Sequence, residues 1–231
     1  MLIRVGRDRT EKINLGLAGV LSLIAGALNA VGFLVAGSFT ANMTGNISLF
    51  TEHLAKQETV LALSFLGLIG AFLCGAGVAA FAIQSGVRLG VRSVYAWVIT
   101  AEATVLLALG VGFLVRPGSA PDADLVILLS FVLGLQNAAT TLISGARVRT
   151  THVSGIITDL GIEIATWLGN EAVRSDTVPR LRLYGLTLAC FAVGGIVGTM
   201  LFTQIGAWMF LIAASGLLAL SLPQLVRAHF S

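Results

Sequence analysis

Charge is what this chain has least of. Only 11% of its 231 residues are Asp, Glu, Lys or Arg, while 56% are hydrophobic and the mean hydropathy is +0.94. Soluble domains carry roughly 25% charged residues, so a soluble globular fold is excluded. Cysteine is scarcer still. Cys74 and Cys190 lie inside apolar blocks and form no Cys-x-x-Cys pair, which argues against a disulfide framework or zinc site and reads as two buried, inert thiols. His53, His152 and His229 are too scattered to suggest a metal centre. No basic tract with interleaved aromatics is present, which removes support for nucleic-acid binding. His-Glu-x-x-His and Gly-x-Ser-x-Gly are absent, and Gly86 and Gly90 flank a short basic turn rather than a phosphate loop. The expectation is therefore a protein that is not an enzyme and needs no cofactor. Only four prolines occur. Pro117 and Pro121, with Ser119 and two aspartates, mark the one clear mid-chain loop, and Pro223 is expected to end the last helix.

What is abundant is uninterrupted apolar sequence. Six blocks, near 14–36, 59–84, 93–115, 125–145, 183–203 and 206–226, reach the roughly 20 residues needed to cross a bilayer. The last two form one uncharged run from Leu183 to Val226, which must fold back near "TQIG" at 203–206. The basic start "MLIRVGRDRTEK" leads straight into about two dozen apolar residues, too many for a signal-peptide core. It reads as a retained first span. With six crossings and an inside N-terminus, twelve Lys and Arg fall on one face (Arg4, Arg7, Arg9, Lys12, Arg88, Arg92, Arg147, Arg149, Arg174, Arg180, Arg182 and Arg227). Only Lys56 and Arg116 fall on the other. Eight crossings would give ten against four. The positive-inside rule thus favours six, with both termini cytoplasmic.

Two polar segments interrupt this pattern, "FTANMTGNISLF" at 39–50 and "RTTHVSGIITDLGIEI" at 149–164. They belong to a weak but ordered internal repeat. "GALNA" at 26–30 matches "GLQNA" at 134–138, "TANMTGNIS" at 40–48 matches "TTHVSGIIT" at 150–158, and "CGAGVAAFAIQSG" at 74–86 matches "GGIVGTMLFTQIG" at 194–206. The last match pairs Gly75 with Gly195. Residues 1–118 and 119–231 thus form two halves, each a long helix, a short polar segment and two more long helices. Three crossings per half make the repeat inverted, a layout common in transporters. Eight crossings would make the halves parallel.

The residues "GALNAVGFLVAGSFTANMTGNISLF" with "GLQNA…RTTHVSGIITDLG" resemble the YoaK-type domain-of-unknown-function family of bacterial inner-membrane proteins. The resemblance covers essentially the whole chain. It implies a multi-pass protein with six spans and implies no substrate. The family pattern often has an acid where this chain has Asn29, and Thr where it has Ser154.

The expected fold is all-α: a polytopic transmembrane bundle of six spans in two three-helix inverted repeats, with short re-entrant or interfacial segments near 40–55 and 150–168. Thr40 and Thr150 are placed to cap the short helices, and Gly45 and Gly155 to permit close approach. Helical spacing puts Asn42, Asn46, Leu49 and His53 on one face, matched by His152, Ile156, Asp159 and Glu163. If the segments enter from opposite sides, their N-termini face each other near mid-depth, where partial positive charge favours an anion or polar acceptor. The leading function is a small-molecule or ion permease whose pathway draws on Asn42, Thr44, Asn46, His152, Ser154, Asp159 and Glu163. Glu102, near the middle of its span, is a candidate protonatable group. The competing reading is a scaffold in the lipid bilayer. There the polar residues are interhelical glue, and the faces Gly86-xxx-Gly90 and Gly194-xxx-Gly198 dock another protein or a second copy as a homo-oligomer.

Overall fold

The computed structural model describes residues 2, 5–6, 9–115, 123–169 and 174–229. Among these the regular structure is helical: α1 Glu11–Ala36, α2 Met43–Ala55, α3 Thr59–Arg88, α4 Val94–Val115, α5 Ala123–Ser144, α6 Val153–Gly169, α7 Arg174–Ile205 and α8 Trp208–His229. Six of them (all but α2 and α6) are long and apolar enough to cross a membrane. The 22 residues of α4 rise about 33 Å at 1.5 Å each, which matches a hydrocarbon core of roughly 30 Å.

The outer surface explains why the composition is so greasy. Val60, Leu73 and Phe81 on α3 are 79%, 70% and 75% exposed, a surface that suits lipid and would not suit water. Polar side chains go the other way. Ser22, Thr40, Asn46, Glu102, Ser130, Gln136, Thr140 and Thr150 are buried between helices.

Glycines set the closest crossings. A Cβ on Gly26 of α1 would fall on the Phe191 carbonyl of α7, and one on Gly194 would fall on the Leu23 carbonyl of α1. The same thing happens between α3 and α5, where a Cβ on Gly75 meets the Phe131 carbonyl and one on Gly134 meets the Phe72 carbonyl. Small residues let helix backbones touch where lipid supplies no hydrophobic drive. The third close pair is α4 with α8, pinned by a Thr100–Ser221 hydrogen bond of 2.9 Å and by Gly110 against Leu211. The helix α2 packs on α3, α6 on α7, and α1 meets α5.

These contacts recur when the halves are exchanged. Gly26 and Gly134 stand 108 positions apart, and Gly75 and Gly194 stand 119 apart. The buried pairs Leu68/Thr187 and Ala79/Gly198 keep that second spacing. The match read from sequence, Gly75 with Gly195, is therefore one residue out of step with the packing.

Other expectations shift as well. Pro223 lies inside α8 and does not end it; its missing N–H is tolerable in a membrane helix whose neighbours satisfy the freed carbonyl. The helix α7 begins at Arg174 rather than near 183, with Pro179 inside it. The chain turns between α7 and α8 at Gly206, where φ is +56°. Cys74 is exposed and Cys190 half-buried, so neither is a core thiol. Gly194 and Gly198 are used up against α1, and a Cβ on Gly86 would strike Val94. The Pro117/Pro121 loop falls on residues outside those described.

Candidate functional site: a cleft where two short helices begin

After α1 the chain reverses at Gly37, whose φ is +64°, and returns alongside the helix it has just left. Three side chains hold this return. Asn29 Oδ1 accepts the Ala41 N–H at 2.9 Å. Ser130 of α5 shares its hydroxyl proton between the Thr40 and Leu68 carbonyls at 2.8 and 3.0 Å. Asn46 Nδ2 donates to the Phe39 carbonyl at 2.9 Å. The return brings residues 41–44 beside Phe72, about midway along α3. There α2 starts. Asn42 caps it, accepting the Gly45 N–H at 3.0 Å. Thr40, expected to cap, is instead buried with its methyl against Gly32. Gly45 is needed because a Cβ there would strike the folded-back Asn42 amide.

The second half repeats the arrangement. The helix α6 starts after His152, whose carbonyl accepts the Ile156 N–H at 3.0 Å. A Cβ on Gly155 would strike the His152 ring. Thr150 is buried, and its hydroxyl faces Gln136 Oε1 at 3.5 Å. At 13 and 17 residues, α2 and α6 extend only about 20 and 26 Å, short of a full crossing.

Both starts open into one cleft of about 560 Å³. Its walls are matched pairs: Asn29 with Asn137, Asn42 with His152, Thr44 with Ser154, and Phe72 with Phe191. Thr151 joins them, and Phe191 lies about midway along α7 as Phe72 does along α3. The cleft thus offers amides, hydroxyls and one imidazole among three phenylalanine rings (Phe39, Phe72 and Phe191) and aliphatic side chains, with no carboxylate in its wall among the described residues. His152 also borders a smaller hollow of about 210 Å³ with Arg147, Arg149, Asp159 and Tyr184. Arg147 and Tyr184 in turn border an outer hollow of about 520 Å³ with Glu11, Asp176 and Arg180. Shared residues link the three spaces from mid-bundle to the arginine-rich end.

The structure brings Asn42, Thr44, His152 and Ser154 together on the cleft. Asp159 lies one hollow outward. Asn46 is 1% exposed and turned into the Phe39 backbone. His53 stacks on Phe65 at 5.4 Å and bonds Glu58. Glu163 is buried and paired with Arg180 of α7 at 2.9 Å. Asn46 and His53 on α2, and Glu163 on α6, therefore lie on packing faces, and the cleft lies at the helix starts. Glu102 sits apart, fully buried on α4, accepting from Gln136 Nε2 at 3.0 Å. No group of three His, Cys, Asp or Glu able to hold a metal occurs among the described residues. Sequence reasoning did not single out Phe72, Phe191 or Thr151. The "GALNA"/"GLQNA" match did put Asn29 and Asn137 in register.

Six apolar spans with two half-length helices define a multi-pass α-helical membrane protein. The family described as "Protein of unknown function (DUF1275)" matches residues 17–222, and the chain belongs to it. It is similar to the UPF0700 transmembrane protein YoaK of Bacillus subtilis (strain 168), 27% identical over 182 residues, covering 78% of this chain and 80% of that relative. No solved structure matches it.

Proposed function

We propose that this protein is a permease for a small polar solute or ion, and that the cleft is its central binding site. One observation carries the reading: two short helices, one from each half, begin beside the midpoints of α3 and α7 and share a single cleft that sets amides, hydroxyls and an imidazole among apolar side chains. Broken or half-length helices that meet at mid-depth are a recurrent way to build a transport site, because irregular backbone deep in a membrane is tolerated where it lines a cavity. On this reading the halves are inverted repeats, α2 is re-entrant from the outer face and α6 from the cytoplasmic face. Asn42, Thr44, His152 and Ser154 contact the solute. Asp159, Arg147 and Arg149 line its way to the cytoplasm. The exchange of equivalent contacts between halves gives alternating access a mechanical basis, since α1–α7 and α3–α5 can trade roles.

The test is flux through reconstituted protein. Proteoliposomes are challenged with gradients of urea, glycerol, amino acids and short carboxylates, beside vesicles carrying Thr44→Trp protein, whose indole fills the cleft. Faster movement of at least one solute through wild-type protein, lost in the variant, is expected. Equal rates for every solute would refute the proposal.

A further inference from the structure

Glu102 is the one carboxyl among the described residues that is fully buried within a span. Its Oε1 accepts from Gln136 Nε2 at 3.0 Å, and its Oε2 has no partner among the described residues. No cation pairs with it among the described residues. The elements packed around α4 are α8, α5 and α3. Their titratable groups are Arg227 and His229 in the last turn of α8, Asp124 in the first turn of α5, and Arg88 and the exposed Cys74 on α3. Asp124 is twelve residues from Gln136, about 18 Å along the helix. Arg227 is six residues beyond Ser221, the partner of Thr100, about 9 Å away. Tyr95 of α4 itself is about two turns back. The buried Arg9 guanidinium lies within electrostatic reach of Tyr95. None of these groups pairs with Glu102, and an unpaired carboxylate inside a membrane protein is costly enough to be a functional marker.

The other end of Gln136 leads to the cleft. Its Oε1 is 3.5 Å from the Thr150 hydroxyl, and Thr150 directly precedes Thr151 and His152 in the cleft wall. The chain Glu102–Gln136–Thr150 has a direction. In the arrangement seen, the amide N–H points at Glu102 and the amide oxygen at Thr150, which suits an ionised carboxylate. A carboxylic acid has a proton to donate, and it is satisfied by the amide oxygen. When the Gln136 amide turns over so that its oxygen accepts the hydrogen bond from that O–H, the proton stays on Glu102 and the amide N–H points at the Thr150 hydroxyl.

Resting on the permease reading above, we propose that Glu102 is a proton-binding site coupled to the cleft. Uptake of one solvent proton by the carboxylate reverses the hydrogen bonds of Gln136 and Thr150, which reorients the segment leading into α6 and changes access to the cleft. The coupling exists in one half alone. At the position of Gln136 the first half has Leu28, 108 residues earlier and fully buried.

The test uses full-length protein in nanodiscs, with Cys74 and Cys190 replaced by Ala and a single reporter, Thr44→Cys. Infrared difference spectra between acid and alkaline pH read the carboxylic acid carbonyl. A membrane-impermeant maleimide reads access at each pH. The expected result is an acid band lost in Glu102→Gln and a labelling rate that changes severalfold across the same pH range. Both Glu102→Gln and Gln136→Leu should make labelling independent of pH. The second change installs the residue the first half already accommodates, so it keeps the test alive if Glu102→Gln does not fold. Absence of an acid band belonging to Glu102 overturns the proposal. So does labelling that is rapid but indifferent to pH in the parent protein, which leaves the permease reading standing. No labelling at any pH overturns both.

Discussion

Two glycines on α3, two residues apart, should respond to the same substitution with opposite sign. A Cβ at Gly75 would land on the Phe131 carbonyl of α5, whereas a Cβ at Gly77 meets nothing within 4 Å. Alanine favours a helix over glycine by about 0.5–1 kcal/mol, so Gly77→Ala should stabilise by that amount. At Gly75 the α3–α5 crossing must open by roughly an ångström, and overpacking of this kind costs about 1–3 kcal/mol. The two variants should differ by about 2 kcal/mol or more, close to thirtyfold in the folded-to-unfolded ratio. Reversible unfolding in mixed micelles, followed by intrinsic tryptophan fluorescence, gives both numbers. A double-mutant cycle sharpens the test. Gly134→Ala opens the same crossing, so its cost combined with Gly75→Ala should fall short of the sum. Gly26→Ala acts at the separate α1–α7 crossing and should add within about 0.5 kcal/mol. Equal effects at Gly75 and Gly77, or additive costs for Gly75 and Gly134, would refute the view that backbone contact at these glycines sets the packing.

The remaining predictions concern the cleft and its supports. Asn42→Ala removes the cap of α2 and should cost about 1 kcal/mol, with faster hydrogen exchange confined to the first turn of that helix. Ser130→Ala breaks the bond to the Thr40 and Leu68 carbonyls and should cost roughly 0.6–2 kcal/mol. Ser22→Ala, at the matching position but with a hydroxyl that has no partner among the described residues, should be neutral in the same unfolding assay. Arg180→Ala should be more damaging than Glu163→Gln, because the first strands a carboxylate that is 11% exposed while the second frees an arginine that is 60% exposed. Thermal inactivation of the two variants, side by side, checks that order.

Much of the architecture was legible because membrane spans are written in composition. Each of the six apolar blocks became a helix, and the turn at 203–206 fell where an uncharged run of double length had to fold back. The short helices were legible as interruptions, and Gly45 and Gly155 as special positions. Their reason was not, since it depends on how Asn42 and His152 fold over a first turn. Helical spacing grouped Asn42, Asn46, Leu49 and His53 along α2, and His152, Ile156, Asp159 and Glu163 along α6, but could not say what lay opposite. Those faces met α3, α7 and Arg180 instead of water, and the cleft formed at the helix ends, which periodicity does not mark. Phe72 and Phe191 look like any other apolar residue until the crossings bring them to the same wall. The first turns of α7 were hidden by Asp176, Arg180 and Arg182, whose charges look like a loop to a hydropathy scan.

Single cysteines at Asn42 and Ser154, in a Cys74→Ala, Cys190→Ala background, show whether the two half-length helices meet at one solvated cleft open toward the arginine-rich face. Each is labelled with an impermeant thiol reagent in sealed vesicles of both orientations. Both positions, one from each half, should react from the cytoplasmic side and protect together when either is blocked by a bulky reagent. If neither reacts from either side in folded protein, the cleft is dry packing and no solute binds there.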